Sequence, residues 1–158
     1  MSEFFDQEAK CYFVRSWPSE KVRLFSKSSD YAYYLRVLKK YKAEYKLKIF
    51  AFCLIPQGIY LILQPRGSKD LSDFLEKTMD AYYLRLVQDG QEVKFIRNIV
   101  KDTQDLVDWI KYLEFIPVKH ELALSPLSYR WSSCSYRVLG DQGGLLDSRP
   151  LLTSRNPP

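Results

Sequence analysis

The chain has 158 residues, 46% of them hydrophobic and 15% aromatic, a net charge of +5 and a pI of about 9.0, values that suit one packed domain. No apolar run approaches the roughly 20 residues of a membrane span, and the acidic opening Met1-Ser-Glu-Phe-Phe-Asp-Gln-Glu8 is not a secretory signal. Cys11, Cys53 and Cys134 are too few and too scattered for a disulfide framework, so a reducing cytoplasm is the expected setting.

Residues 10–15 predict a first strand, and Trp17-Pro18 and the serine-rich residues 26–29 predict loop. Over 31–45 the apolar side chains Tyr31, Tyr34, Leu35, Leu38, Tyr41 and Tyr45 recur at three- and four-residue steps, the period of an amphipathic helix. Residues 46–54 read as an apolar strand, Ile55-Pro-Gln-Gly58 as a turn and 59–64 as the returning strand. Asp70 is the expected cap of a second helix that buries Leu71, Phe74, Leu75, Met79 and Tyr82 and stops near Asp89-Gly90. A strand over 92–100 follows. Asp102 or Thr103 then caps a third helix to about Phe115, which Pro117 is expected to end. Leu122 to Leu124 fit a short helical or an extended piece equally. From Asp141 onward Gly, Pro, Ser and Asn dominate without periodicity, so 1–140 is expected to form one domain and 141–158 a disordered tail.

The order strand, helix, strand, strand, helix, strand, helix predicts an α+β protein, an antiparallel sheet with packed helices on a ferredoxin-like or split βαβ plan. Many functions use that plan, so function must be argued from sites.

Charge placement is informative. Residues 31–48 carry Arg36, Lys39, Lys40, Lys42, Lys46 and Lys48 against Glu44, which accounts for the whole excess of +5. Arg36, Lys39 and Lys40 share the helix face opposite the apolar stripe, with Lys42 and Lys46 at its border. Basic charge confined to one element suggests a patch for a polyanion, against the ordinary alternative of a solvated face.

Three segments in order resemble REP-associated tyrosine transposases and the wider HUH single-tyrosine transposase family. Phe50-Ala-Phe-Cys-Leu-Ile-Pro-Gln-Gly-Ile-Tyr-Leu-Ile-Leu63 is similar to A-Y-C-L-M-P-N-H-x-H-L-L-L. Lys111-Tyr-Leu-Glu-Phe-Ile-Pro-Val118 resembles R-Y-I-x-x-N-P-V, and Tyr129-Arg-Trp-Ser-Ser133 resembles the closing Y-x-W-S-S. Leu71-Ser-Asp-Phe74 also fits the helix opening L-S-x-F.

The resemblance implies a DNA partner, single-stranded or hairpin, contacted by Arg36, Lys39, Lys40, Lys42 and Lys46, and a catalytic tyrosine at Tyr112. In the family that tyrosine attacks a DNA phosphate, which a divalent metal polarises. The family's ligand positions fall on Gly58, Tyr60 and Ile116, where glycine and isoleucine offer no donor atom. The G-R-F segment reads Val93-Lys94-Phe95, and the only histidine, His120, has no partner in the pattern.

The leading expectation is therefore a transposase-like DNA-binding protein with a vestigial Tyr112, no cofactor and no metal-dependent nicking. A second expectation is an active nicking enzyme in which Asp105, Asp108 or Glu114 hold magnesium or manganese instead. A third is a protein-interaction remnant without a nucleic-acid role. The family includes monomers and homodimers, and these residues do not choose between them.

Overall fold

The computed structural model describes residues 10–18, 23–86, 93–140 and 144–148. In chain order these form β1 (Cys11–Pro18), α1 (Ser28–Tyr45), β2 (Lys48–Ile55), β3 (Gly58–Gln64), α2 (Ser68–Leu86), β4 (Val93–Val100), α3 (Thr103–Lys119) and α4 (Ser133–Leu139). The strands make one sheet in the order β2-β3-β1-β4, every neighbouring pair antiparallel. The expected α+β architecture is present.

Alternation along the strands divides the core into two layers. Tyr12, Val14, Leu61 and Leu63 point to the face that carries α1 and α2, while Cys11, Phe13, Tyr60 and Ile62 point to the face that carries α3. Helices on both faces explain why β2 and β3 are almost wholly apolar rather than alternating. A register shift between Ile49 and Ala51 turns Phe50 and Ala51 to the α3 side together.

Strand β2 lies at the sheet edge, and its backbone is satisfied by the C-terminal chain. The Leu54 N–H donates to the Trp131 carbonyl at 2.9 Å, and the Phe52 N–H to Ser133 Oγ at 3.1 Å. The Tyr129 hydroxyl donates to the Leu54 carbonyl at 2.7 Å. Tyr129-Arg-Trp-Ser-Ser133 is thus an edge cover, which removes a row of unpaired groups that would template association. Trp131 packs this segment down, its ring stacked 4.8 Å from Tyr31.

Several expectations need correcting. Trp17 and Pro18 are not loop: they continue β1, opposite Lys94 and Val93 of β4. Helix α2 starts at Ser68, so Asp70 sits in its first turn rather than capping it. Asp102 does cap α3, its side chain accepting from the Asp105 N–H at 2.8 Å. Pro117 does not stop α3, which runs on to Lys119. A proline in the last turn forfeits one hydrogen bond, while the buried Leu113 and Ile116 hold that turn against the sheet. Helix α4 was not foreseen; seven residues are too few for a periodic signal.

The expected tail is also partly ordered. Residues 141–143 and 149–158 lie outside the described residues, but Leu145 is buried and Asp147 clips onto the start of β2. Ile49 N–H donates to Asp147 Oδ2 at 2.9 Å, and the Asp147 N–H returns to the Ile49 carbonyl at 2.8 Å. Composition argued for disorder. Two hydrogen bonds to the Ile49 backbone and one buried leucine outweigh it locally.

Candidate functional site

Tyr112 is displayed at a cleft of about 430 Å³ between α3 and the β4 side of the sheet. The floor comes from Phe13 and Arg15 of β1, Tyr60 of β3, and Ile96 and Asn98 of β4. Arg15 is level with Tyr60 on one side and Ile96 on the other, so the three stand abreast on one face. The wall is α3, whose Asp105, Asp108, Trp109 and Tyr112 lie at three- and four-residue steps. Trp109 stacks on Phe13 with centroids 4.3 Å apart, and Tyr112 meets both rings edge-on at 5.8 and 5.9 Å.

The Tyr112 side chain remains 43% exposed, open to a ligand. Lys119 Nζ stands 5.3 Å from its ring centroid. Among the described residues no hydrogen-bond partner reaches its hydroxyl. Asp108, one turn earlier, accepts instead from Gln104 Nε2 at 3.0 Å, so no positioned base serves the phenol.

The three positions at which the resemblance implies metal ligands carry glycine, tyrosine and isoleucine. Ile116 is a core residue beneath α3. A Cβ at Gly58 would stand 3.3 Å from the Ser16 carbonyl oxygen and 3.6 Å from Tyr60 Cε1. Tyr60 is 4% exposed, and burial pushes its phenol up from its ordinary value, with Arg15 pulling the other way. A neutral buried phenol is a poor metal ligand. Among the described residues no three His, Cys, Asp or Glu side chains converge.

The acids proposed as substitute ligands separate. Asp105 and Asp108 line the cleft with Tyr60 and Tyr112, and Asp105 Oδ2 already accepts from the Lys101 N–H at 2.9 Å. Glu114 points elsewhere, buried against Ser133 and Arg137.

The basic residues are not brought to Tyr112. They lie on α1 and, for Lys46, on its C-cap, across the sheet. Arg36, Lys39, Lys40 and Lys46 are exposed. Lys42 is not free: its Nζ pairs with Asp147 at 2.9 Å and donates to the Leu145 carbonyl at 2.9 Å. Lys39, Lys42 and Lys46 share a groove of about 580 Å³ with Lys48 and Arg66. Arg66 gave no sequence signal, because only folding carries the turn after β3 to the end of α1.

Substituting Gly58 by histidine is expected to cost about 1–3 kcal/mol, the usual range for overpacking, since the Ser16 backbone must move; urea unfolding measures it. The buried tyrosines set an alkaline limit. Burial raises the phenols of Tyr60, Tyr129 and Tyr31 above their ordinary value. The neutral form is thus favoured in the folded chain, and this stability is complete below the unfolded pKa of about 10 and lost as pH rises through the higher folded values. The urea midpoint should show no tyrosine-linked fall up to about pH 9 and should drop above about pH 10.

Comparison with solved structures finds the same fold in a protein of known structure. A REP-associated tyrosine transposase bound to a REP hairpin superposes with a TM-score of 0.72 at 17% identity, covering 93% of this chain and 86% of that one. No family model and no curated protein matches. At this identity the likeness establishes the fold. Among the described residues no helix is long and apolar enough to cross a membrane.

Proposed function

We propose that this chain is a transposase-like protein that holds single-stranded or hairpin DNA on the basic face of α1 and has lost metal-dependent nicking. The observation that carries the proposal is the fold shared over 93% of the chain with a transposase bound to a DNA hairpin. The cluster of exposed cations on α1 supports phosphate contacts that position a strand without reading its sequence. The loss of cleavage is supported by the occupants of the ligand positions. Without metal polarisation, several kcal/mol of transition-state stabilisation is missing, and each ~1.4 kcal/mol is tenfold in rate.

Asp105 and Asp108 in the Tyr112 cleft favour one competing reading, a two-carboxylate magnesium or manganese site. One experiment decides. A labelled hairpin is titrated between about 50 and 200 mM salt, and log affinity should fall with log salt with a slope of about −3 to −4 for four phosphate contacts. The same hairpin with magnesium or manganese should yield no covalent adduct. An adduct that disappears in Tyr112→Phe would overturn the loss of cleavage, and its disappearance in Asp105→Asn and Asp108→Asn would establish the carboxylate site. Absence of hairpin binding would overturn the DNA-binding reading.

A further inference from the structure

We infer that the pocket between α1 and α4 binds an aliphatic carboxylate, a fatty-acid anion of medium chain length. The pocket encloses about 500 Å³, within the range of about 300–1,000 Å³ usual for small-molecule sites. Leu35 of α1, Trp131, Leu139 of α4 and Leu145 supply apolar walls, and Arg36, Lys39 and Arg130 supply charge. None of these residues lines the Tyr112 cleft.

The charge balance selects an anion. Three cations line the pocket and no carboxylate does. Among the described residues no acid pairs with Arg36, Lys39 or Arg130, and all three are exposed. The neighbouring groove differs, because Asp147 enters it and takes Lys42. Arg36 and Lys39 stand three residues apart on α1, so one carboxylate can reach both. Arg130 comes from the segment before α4, its guanidinium held over the Trp131 ring at 4.5 Å.

The apolar walls select an alkyl chain over a flat ring. Trp131 is 9% exposed, with Tyr31 stacked at 4.8 Å and Arg130 at 4.5 Å, so it has no face left for a base or another aromatic ligand. Tyr136 meets Phe52 edge-on at 5.0 Å. The other apolar walls are aliphatic, and Leu139 is 77% exposed, a surface that a hydrocarbon tail would cover. Ser135 Oγ donates its proton within the chain, to the Arg130 and Ser132 carbonyls. The pocket thus offers cations to a head group and hydrocarbon to a tail.

Arg36 and Lys39 also belong to the proposed DNA face, so the test is run without DNA and stands apart from that reading. Calorimetric titration of the full chain at neutral pH uses hexanoate, octanoate and decanoate, each below its micellar concentration. One saturable site is expected, its affinity rising about two- to fourfold with each added methylene. Decanol should bind about tenfold more weakly than decanoate, and decyltrimethylammonium should not bind. Arg130→Gln should weaken decanoate about tenfold. Ala32→Phe narrows the pocket without removing a cation, and should weaken decanoate more than hexanoate. Lys69→Gln, at an exposed cation of α2, should change nothing. Absence of saturable binding overturns the inference, and so does an affinity independent of chain length, which would leave only an anion contact. Equal binding of decyltrimethylammonium, or decanoate binding unaltered in both Arg130→Gln and Ala32→Phe, overturns it as well. A helical peptide of alternating leucine and glutamate faces is the last arm. If Arg130→Gln weakens that peptide while decanoate does not bind the parent, the occupant is a protein and the inference fails.

Discussion

Replacing Arg36, Lys39, Lys40 and Lys46 together by glutamate is expected to weaken hairpin binding on the order of 10²- to 10³-fold at low salt, because phosphate neutralisation dominates such affinities. These side chains are exposed on α1 and its C-cap, and none is a packing element of the core, so the fold should survive. The slope of log affinity against log salt should flatten by about 3, near 0.7–0.9 for each contact removed. Lys42 behaves differently. With its ammonium engaged by Asp147 and the Leu145 carbonyl, Lys42→Ala should leave binding near the parent level and cost about 1 kcal/mol of stability, as a half-buried pair does. Circular dichroism at matched temperatures separates the two outcomes. An unaltered salt slope in the quadruple variant would move the DNA off α1.

The largest stability effect is expected at Arg137. Its guanidinium bonds the Glu114 carboxylate and donates from Nη2 to the Phe50 carbonyl at 2.7 Å, while Ser133 Oγ donates to the same carboxylate at 2.5 Å. The Glu114 side chain is 12% exposed and that of Arg137 38%. Arg137→Met leaves a nearly buried carboxylate without its cation. The partial exposure of the arginine places the cost at about 2–3 kcal/mol, below the range for a wholly buried pair. Arg137→Met combined with Glu114→Leu should recover much of that loss, since no unpaired charge remains. Urea unfolding of the two variants measures the difference. Equal destabilisation by both would mean that α4 packing, not charge, holds this corner.

The Glu114–Arg137 pair also marks where sequence reasoning stopped. Tyr112 is singled out in the sequence only by the motif that its segment resembles, and the fold leaves it exposed at the cleft. That the motif's Ile116 lies under the helix follows from packing against the sheet. Lys42 shows the same limit within one helix. Its neighbours Lys39 and Lys40 face solvent, but a chain segment about a hundred residues later returns to engage it. Trp17 and Pro18 carry a local loop signal and are strand only because their partner β4 comes nearly eighty residues later.

Apolar periodicity, turn residues and charge runs are local properties, and from them the chain alone determined its four strands, the three long helices, the basic helix and the absence of donor atoms at Gly58 and Ile116. What only the tertiary structure decided depends on contacts between residues distant in sequence. It set the cation face of α1 and the Tyr112 cleft on opposite sides of the sheet, joined Arg66 to the lysines, and placed Arg15 beside Tyr60. Strand alternation decides which side a residue takes, and only strand order and register decide what it meets there.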